Sequence, residues 1–267
     1  MHRDPAVAGR FYPSDMEKLT AEIRKHVEDG KVKTPVIGIV SPHAGFMYSG
    51  RVAGSVYSRI EIPDTVVLVG PNHTGHGHKV SVMTEGVWLM PFGDVKIDST
   101  LAEMICEESS EIHVDSKAHL FEHSLETQIP FLQYFKKDFK IVPVCLMRLS
   151  FTECEEIARA VVAAVSRFQS RVLIVASSDM THYESHDSAS RKDRKAIDQI
   201  LKLDARGLYQ TVEQNGITMC GVNPVTVMLM CAEKMGARRS ELVKYMTSGE
   251  VSGDMDQVVG YAGMIVQ

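Results

Sequence analysis

The stretch Val36-Ile-Gly-Ile-Val-Ser-Pro-His43 decides the fold class, because its apolar run, Val36–Val40, passes directly into a loop that carries a histidine. A short apolar run without polar alternation is typical of a strand buried on both faces of a parallel sheet. Three similar runs are also predicted as strands: Thr65–Val69, Lys140–Cys145 and Val172–Ala176. Longer helical patterns lie between them. Residues 1–267 are therefore predicted to form a single three-layer α/β domain, with a mixed or largely parallel central sheet flanked by helices.

The remaining elements complete this prediction. Ser14 and Glu17 form a capping-box pattern, which predicts a helix that Gly30 would end. Strands are expected at Leu242–Thr247 and Val258–Val266, and a hairpin or arm at Trp88–Ile97. Further helices are predicted at 50–60, 99–108, 122–135, 152–168, 187–203, 205–214 and 225–235.

The composition argues against several classes of protein. The 267 residues carry a formal net charge of −5, and the Lys and Arg residues are scattered, which argues against a broad nucleic-acid surface. No apolar run approaches the ~18 residues of a membrane span, and the N-terminus lacks the apolar segment of a signal peptide. Five cysteines without a C-x-x-C pair indicate neither a disulfide framework nor a zinc ribbon. We expect a cytoplasmic protein that binds neither nucleic acid nor membrane.

Three of the predicted buried strands run directly into loops that carry histidine. His43 follows the first strand, His73 follows the second, and Asp179 and His182 follow the run that begins at Val172. Because ligands bind beyond the carboxyl ends of parallel strands, we expect these side chains to converge on one edge of the sheet. Such a group would serve as a metal or acid–base site. The alternative is that each histidine merely ends a strand and hydrogen-bonds its loop.

A second histidine cluster matches a known catalytic pattern. His119-Leu-Phe-Glu122-His123 spells H-x-x-E-H, the inverted zinc-peptidase signature, in which two histidines on one helical face bind zinc. The alternative is a helix N-terminus at which Glu122 and Glu126 interact favourably with the helix dipole. We favour a supporting role for Glu122 and His123 beside the site formed by the strand-end histidines.

Cys220 precedes a predicted apolar helix, in the loop Thr218-Met-Cys-Gly-Val-Asn-Pro224. Free cysteines are usually inert buried thiols. A thiolate close to a helix N-terminus can instead bind a metal or act as a nucleophile. The residues alone leave these possibilities open.

Taken together, these motifs resemble the Memo family, whose prokaryotic branch is also called AmmeMemoRadiSam system protein B. The likeness covers essentially the whole chain in the right order. The family is similar in fold to the catalytic subunits of class III extradiol ring-cleavage dioxygenases, which hold non-haem iron(II) in an α/β site. The segments that carry the resemblance are Arg3-Asp-Pro-Ala-Val-Ala-Gly-Arg-Phe-Tyr-Pro13, Pro42-His-Ala-Gly-Phe-Met-Tyr-Ser-Gly50, Gly70-Pro-Asn-His-Thr-Gly75, Glu122-His-Ser-Leu-Glu126, Ser177-Ser-Asp-Met-Thr-His-Tyr183, Cys220-Gly and Val258-Val-Gly-Tyr261.

The resemblance implies roles for five residues. His43 and His73 match the two histidine ligands of the dioxygenases, and Cys220 falls where those enzymes have a carboxylate ligand. His182 corresponds to their acid–base histidine, and Asp179 lies beside it. A thiolate is a softer ligand than a carboxylate, so ring cleavage does not follow from the resemblance. One transition-metal ion is expected, copper or iron in preference to zinc.

These observations favour a metal-dependent redox protein with a dioxygenase-like site. The alternative is a module that binds a peptide or another partner in the same cleft without catalysis, and a zinc hydrolase is favoured least. The chain has no G-x-S-x-G, P-loop or G-x-G-x-x-G motif, which disfavours serine hydrolases, P-loop NTPases and Rossmann dehydrogenases. The ligand is expected to be a small molecule or a peptide. The resemblance also suggests Ammecr-type and radical-SAM proteins as partners.

Overall fold

The computed structural model describes all 267 residues, Met1–Gln267, and its central feature is a 12-stranded mixed sheet. The order along the sheet is β1-β5-β6-β8-β3-β9-β2-β12-β10, with β11 paired to β12, β4 to β8, and β7 to β4. The strands are β1 (His2–Arg3), β2 (Gly38–Ser41), β3 (Thr65–Pro71), β4 (Val80–Val82), β5 (Val87–Trp88), β6 (Val95–Ile97), β7 (His113–Val114), β8 (Lys140–Leu146), β9 (Val172–Ser177), β10 (His182–Glu184), β11 (Ser240–Thr247) and β12 (Val258–Val266).

The four strands predicted from their apolar runs form the middle of the sheet. β8, β3, β9 and β2 are neighbours and run parallel, and nearly all of their residues are buried. This confirms the expectation of a largely parallel core, while β12 pairs antiparallel with β2 and makes the sheet mixed. The predicted hairpin at 88–97 is present as the antiparallel pair β5 and β6, and β6 joins the sheet beside β8.

Nine α-helices connect the strands, and none of them is long and apolar enough to cross a membrane. Their positions agree with most of the predicted helices. The helices are α1 (Met16–Arg24), α2 (Phe46–Tyr57), α3 (Ser99–Glu107), α4 (Ile129–Phe135), α5 (Phe151–Arg167), α6 (His186–Leu201), α7 (Ala205–Asn215), α8 (Val222–Lys234) and α9 (Gly249–Ser252).

Two glycines show that helices cover both faces of the sheet. A Cβ atom on Gly38 would lie 2.6 Å from the sulfur of Met228 in α8, and one on Gly263 would lie 2.5 Å from Val56 in α2. Val266 pairs with Gly38 in register. Because successive residues of a strand point to opposite faces, Gly263 faces away from α8. Helices α8 and α2 therefore lie on opposite sides of the sheet, which gives the three predicted layers.

Two predicted helix boundaries are wrong. The cap of α1 is Asp15, whose carboxylate accepts the Lys18 N–H at 2.9 Å, and the helix ends at Arg24, well before Gly30. The helix expected from Glu122 begins only at Ile129, after a 3₁₀ turn at Glu126–Gln128. The Glu122 carboxylate instead accepts backbone N–H groups of its own loop, and this competes with helix formation.

The N-terminal segment is held to the body of the protein by a buried ion pair. Arg3 Nη1 lies 2.7 Å from Glu126 Oε2, and both side chains are inaccessible to solvent. Glu126 also accepts the Ala6 and Val7 N–H groups and the Tyr12 hydroxyl. These four contacts neutralise the charge of Glu126 and satisfy its lone pairs, as a buried carboxylate requires.

Replacing Glu126 with alanine is expected to lower the free energy of unfolding by about 3–5 kcal/mol, because the Arg3 guanidinium is then buried without a counter-charge. Urea denaturation measures the change. The control is Glu61→Ala, which removes the partner of Arg171 in an exposed pair and should cost no more than about 1 kcal/mol. Equal losses of unfolding free energy in the two variants would show that the Arg3–Glu126 pair contributes no more to stability than an exposed ion pair.

Candidate metal centre

Three histidines meet at the carboxyl ends of the central strands. His43 follows β2, His73 follows β3, and His123 lies in the loop before α4. One ring nitrogen of each lies within 4.8 Å of the others. The ring centroids are 5.2 Å apart for His43 and His73, 4.7 Å for His73 and His123, and 5.5 Å for His43 and His123. This spacing suits three imidazoles that share one metal ion.

His43 is held in a single tautomer by a chain of hydrogen bonds. The Ser177 hydroxyl donates to the Ser124 carbonyl at 2.7 Å and accepts from the Gln128 amide at 3.0 Å. Since the hydroxyl proton is already donated to the Ser124 carbonyl, Ser177 Oγ can only accept from His43, and His43 Nδ1 donates to it at 2.8 Å. Nε2 then carries the lone pair, as in metal-binding histidines whose other nitrogen is held by a neighbouring group.

The Nδ1–H of His73 is held by a carboxylate. Its Nδ1 donates to Glu122 Oε1 at 2.9 Å, and its backbone N–H donates to Glu122 Oε2 at 2.5 Å. Burial disfavours the charged imidazole, but the hydrogen bond and charge of Glu122 outweigh burial and raise the pKa of His73. Burial also opposes the ionisation of Glu122, yet its bonds to His73 and Ser124 lower the pKa of the carboxyl to about 2. Glu122 thus favours the protonated imidazole of His73, whose Nε2 proton a metal ion would have to displace.

The other two histidines are neutral near pH 7. Burial lowers the pKa of His43 well below its usual value, and repulsion from a protonated His73 or His123 would lower it further. Burial likewise lowers the pKa of His123, although the Glu122 carboxylate 3.4 Å from Nδ1 opposes this. Neutral imidazoles are the form that binds metals.

Cys220 lies beside the three histidines, in the loop that leads into α8. Its Sγ is 3.3 Å from His43 Nε2 and accepts the Asp179 N–H at 3.2 Å. Burial and the negative charge of Asp179 raise the pKa of the thiol, so the thiol is protonated and donates to the His43 nitrogen. A Cβ atom on Gly221 would lie 2.4 Å from the Ser177 carbonyl oxygen, so glycine lets this loop approach β9 closely.

Asp179 and His182 are held by different partners. Asp179 Oδ1 accepts the backbone N–H of His43 at 2.8 Å, and no hydrogen bond joins it to His182. His182 Nδ1 lies 2.8 Å from the Met180 carbonyl and 3.0 Å from that of Thr218. Because both partners are acceptors, Nδ1 carries the proton and Nε2 is left as the free acceptor. The backbone, and not Asp179, orients His182.

The H-x-x-E-H pattern does not form a helical zinc site. His119 ends a 3₁₀ turn at Lys117–His119, and the chain from Leu120 to Leu125 is not helical. The buried His119 faces Cys145, with Nδ1 3.4 Å from Sγ, and is not among the three clustered histidines. Only the second histidine of the pattern, His123, belongs to the cluster, where it is a candidate ligand as well as a neighbour of Glu122.

Sequence reasoning missed several supporting residues. Ser177 and Gln128 hold His43, but neither was singled out as a site residue from the sequence. Asp193 is fully buried in α6 and accepts the Thr181 N–H at 2.9 Å, which fixes the loop between Asp179 and His182. Because Asp193 lies in a helix rich in charged residues, the sequence did not indicate that its side chain would be buried.

Comparison with known proteins identifies the family. A family model described as Memo-like protein matches residues 3–265. The chain belongs to the Memo family. It is 42% identical to a MEMO1 family protein of Methanopyrus kandleri and 43% identical to one of Methanosarcina mazei, with 99% of each chain covered in both comparisons. A MEMO1 family protein of Pyrobaculum aerophilum is 41% identical, with 98% of each chain covered.

A solved structure supports the fold of this Memo family member. The crystal structure of an uncharacterized Escherichia coli K12 protein superposes with a TM-score of 0.58 and covers 86% of this chain and 99% of its own. The two sequences are 13% identical, so the similarity concerns the fold alone.

The Glu122→Gln variant is expected to lower the pKa of His73, because the charge of Glu122 is lost and only the smaller effect of Asp179 then opposes burial. NMR titration of the imidazole resonances measures the shift, and the exposed His76 is the internal reference. An unchanged pKa of His73 would show that Glu122 does not set its protonation.

The same substitution makes a second, thermodynamic prediction. Loss of the ion pair should destabilise the fold most between pH 4.5 and 6.5, and the effect should fade as the pH rises through the raised pKa of His73. Above that window His73 loses its proton, and below it Glu122 becomes protonated as the pH falls towards its pKa of about 2. Chemical denaturation of both proteins across this pH range measures the difference.

Proposed function

We propose that the chain is a metal-dependent redox protein whose ion is bound by His43, His73 and Cys220, with His123 as an additional ligand. The observation that carries the proposal is the convergence of three imidazole nitrogens within 4.8 Å, with a thiol 3.3 Å from one of them. The donor set fits a transition metal, because hydrogen bonds hold Nδ1 of His43 and His73 and leave Nε2 as the nitrogen that could bind an ion, and because the cysteine has a backbone N–H to stabilise its thiolate.

The choice of metal follows from the ligands. Imidazoles suit copper, iron and zinc, and a thiolate favours soft ions such as copper(I). We propose copper or iron in preference to zinc, because either ion would supply the one-electron chemistry that zinc lacks. Binding would release the thiol proton of Cys220, since the thiolate is the form that binds a metal.

His182 is proposed to move protons at this site. Its Nδ1–H is held by two backbone carbonyls, which leaves Nε2 to take up or deliver a proton. Asp179 supports the site indirectly, through its hydrogen bonds with His43 and Cys220.

A second candidate function is the binding of a peptide without catalysis. Tyr183 favours it, because this aromatic side chain next to His182 is 74% exposed and its backbone has a φ of 58°, a strained value for tyrosine. In that case, peptide binding should persist after chelation of any metal, and no oxygen consumption should accompany it.

Direct contact with Ammecr-type and radical-SAM proteins is also proposed from the resemblance, and co-purification of the recombinant proteins tests it.

Metal analysis tests the proposed centre. Protein purified without a tag or chelator should contain nearly stoichiometric copper or iron, and His43→Ala and Cys220→Ala should lose most of it. The matched control is His76→Ala, which removes an exposed histidine near the site and should keep the metal. Zinc in place of copper or iron would overturn the redox assignment, and equal metal in all four proteins would overturn the ligand assignment.

The His182→Gln variant separates metal binding from proton transfer. We expect unchanged metal content, because Nε2 of His182 is not one of the clustered donors. We also expect oxygen consumption with ascorbate as reductant to fall about 10²–10⁴-fold, the usual contribution of a general acid–base. Full activity in this variant would rule out a proton-transfer role for His182.

A further inference from the structure

A cleft of about 400 Å³ adjoins the candidate metal centre. His73 and Cys220 line its inner end, and the segments Leu146–Leu149 and Ile217–Pro224 form its walls together with α7. This volume is in the range of ~300–1,000 Å³ that is typical of small-molecule sites. A molecule in this cleft would therefore contact both candidate ligands.

Most polar groups along the walls are already bound to the protein. Asn223 donates to and accepts from the backbone of Leu149, and the Tyr209 hydroxyl donates to the Leu149 carbonyl. Asn72 accepts the Thr74 and Gly75 N–H groups. The middle of the cleft therefore offers mainly apolar contacts from residues such as Leu146, Val212, Met219 and Val222.

Arg148 is the cation of this cleft, and it keeps unused hydrogen-bond donors. Both contacts to Glu213 come from Nη2, at 2.8 Å to Oε1 and 3.0 Å to Oε2. Nε and Nη1 donate to no protein group, and the side chain is 80% exposed. The parallel N–H pairs of a guanidinium are Nη1/Nη2 and Nε/Nη2, and both include Nη2, so a second carboxylate would accept one charge-assisted hydrogen bond, from Nε or from Nη1.

We propose that the cleft binds a small organic acid, with its carboxylate on Arg148, an apolar body against the walls and its other end at His73 and Cys220. This inference rests on the proposed function, because it places the substrate of the metal centre in the cleft. The acid does not need to displace Glu213, since the two carboxylates would use different nitrogens of Arg148.

Hexanoate and its neutral analogue hexanamide test the proposal with the full-length protein, and ligand-observed NMR measures their binding. Wild-type protein should bind hexanoate about 3–10-fold more tightly than hexanamide, a modest preference because Arg148 is exposed. Arg148→Gln should abolish the preference. The matched control, Arg167→Gln, removes an exposed arginine that pairs with Glu108 outside the cleft, and should retain it.

Equal binding of the two probes to the wild-type protein, or a preference that survives in Arg148→Gln, would overturn the proposal. So would the absence of binding by either probe at millimolar concentration. Metal analysis of the same samples separates the two hypotheses. An acid preference in protein that holds no metal would support acid binding in the cleft and contradict the metal centre. Bound metal without an acid preference would support the metal centre and contradict acid binding in the cleft.

Discussion

The Glu122 carboxylate is the interaction on which the candidate site depends. It accepts four hydrogen bonds, two from His73 and one each from the backbone N–H groups of His123 and Ser124. Because Glu122 is buried, its charge is stable only while these donors surround it. The carboxylate thus binds the loop after β3 to the loop before α4, and brings two of the three histidines together.

A second carboxylate, four residues later, extends the same arrangement. Glu126 pairs with Arg3, and Arg3 in turn donates to the backbone carbonyls of His119 and Glu122. The N-terminal segment is therefore packed against the loop that carries His123. This explains why the loop has a fixed shape without being helical, since side chains from distant parts of the chain satisfy its polar groups.

The parallel strands supply the other half of the site. β2 and β9 are neighbours that end at the same edge, in Ser41 and Ser177, so that His43 and Asp179 meet there. Ser177 and Asp179 then hold the side chain and the backbone of His43. Metal-binding histidines generally need such neighbours to fix the tautomer and the ring orientation. A cleft of about 400 Å³ lies beside them.

Local sequence patterns determined the class of fold and the region of the site. The buried strands were recognisable because their apolar runs reflect burial on both faces, and the histidines that follow them had to reach the same edge. Such patterns did not show whether His119 or His123 would join the cluster. The H-x-x-E-H spacing suggested a helix, whereas the Glu122 carboxylate accepts backbone N–H groups of its own loop, which is not helical. They also did not show which group orients His182, or that Cys220 would lie against His43, 177 residues away. Tertiary structure decided these points, since contacts between distant loops depend on packing and hydrogen bonding across the whole domain and leave no period in the sequence.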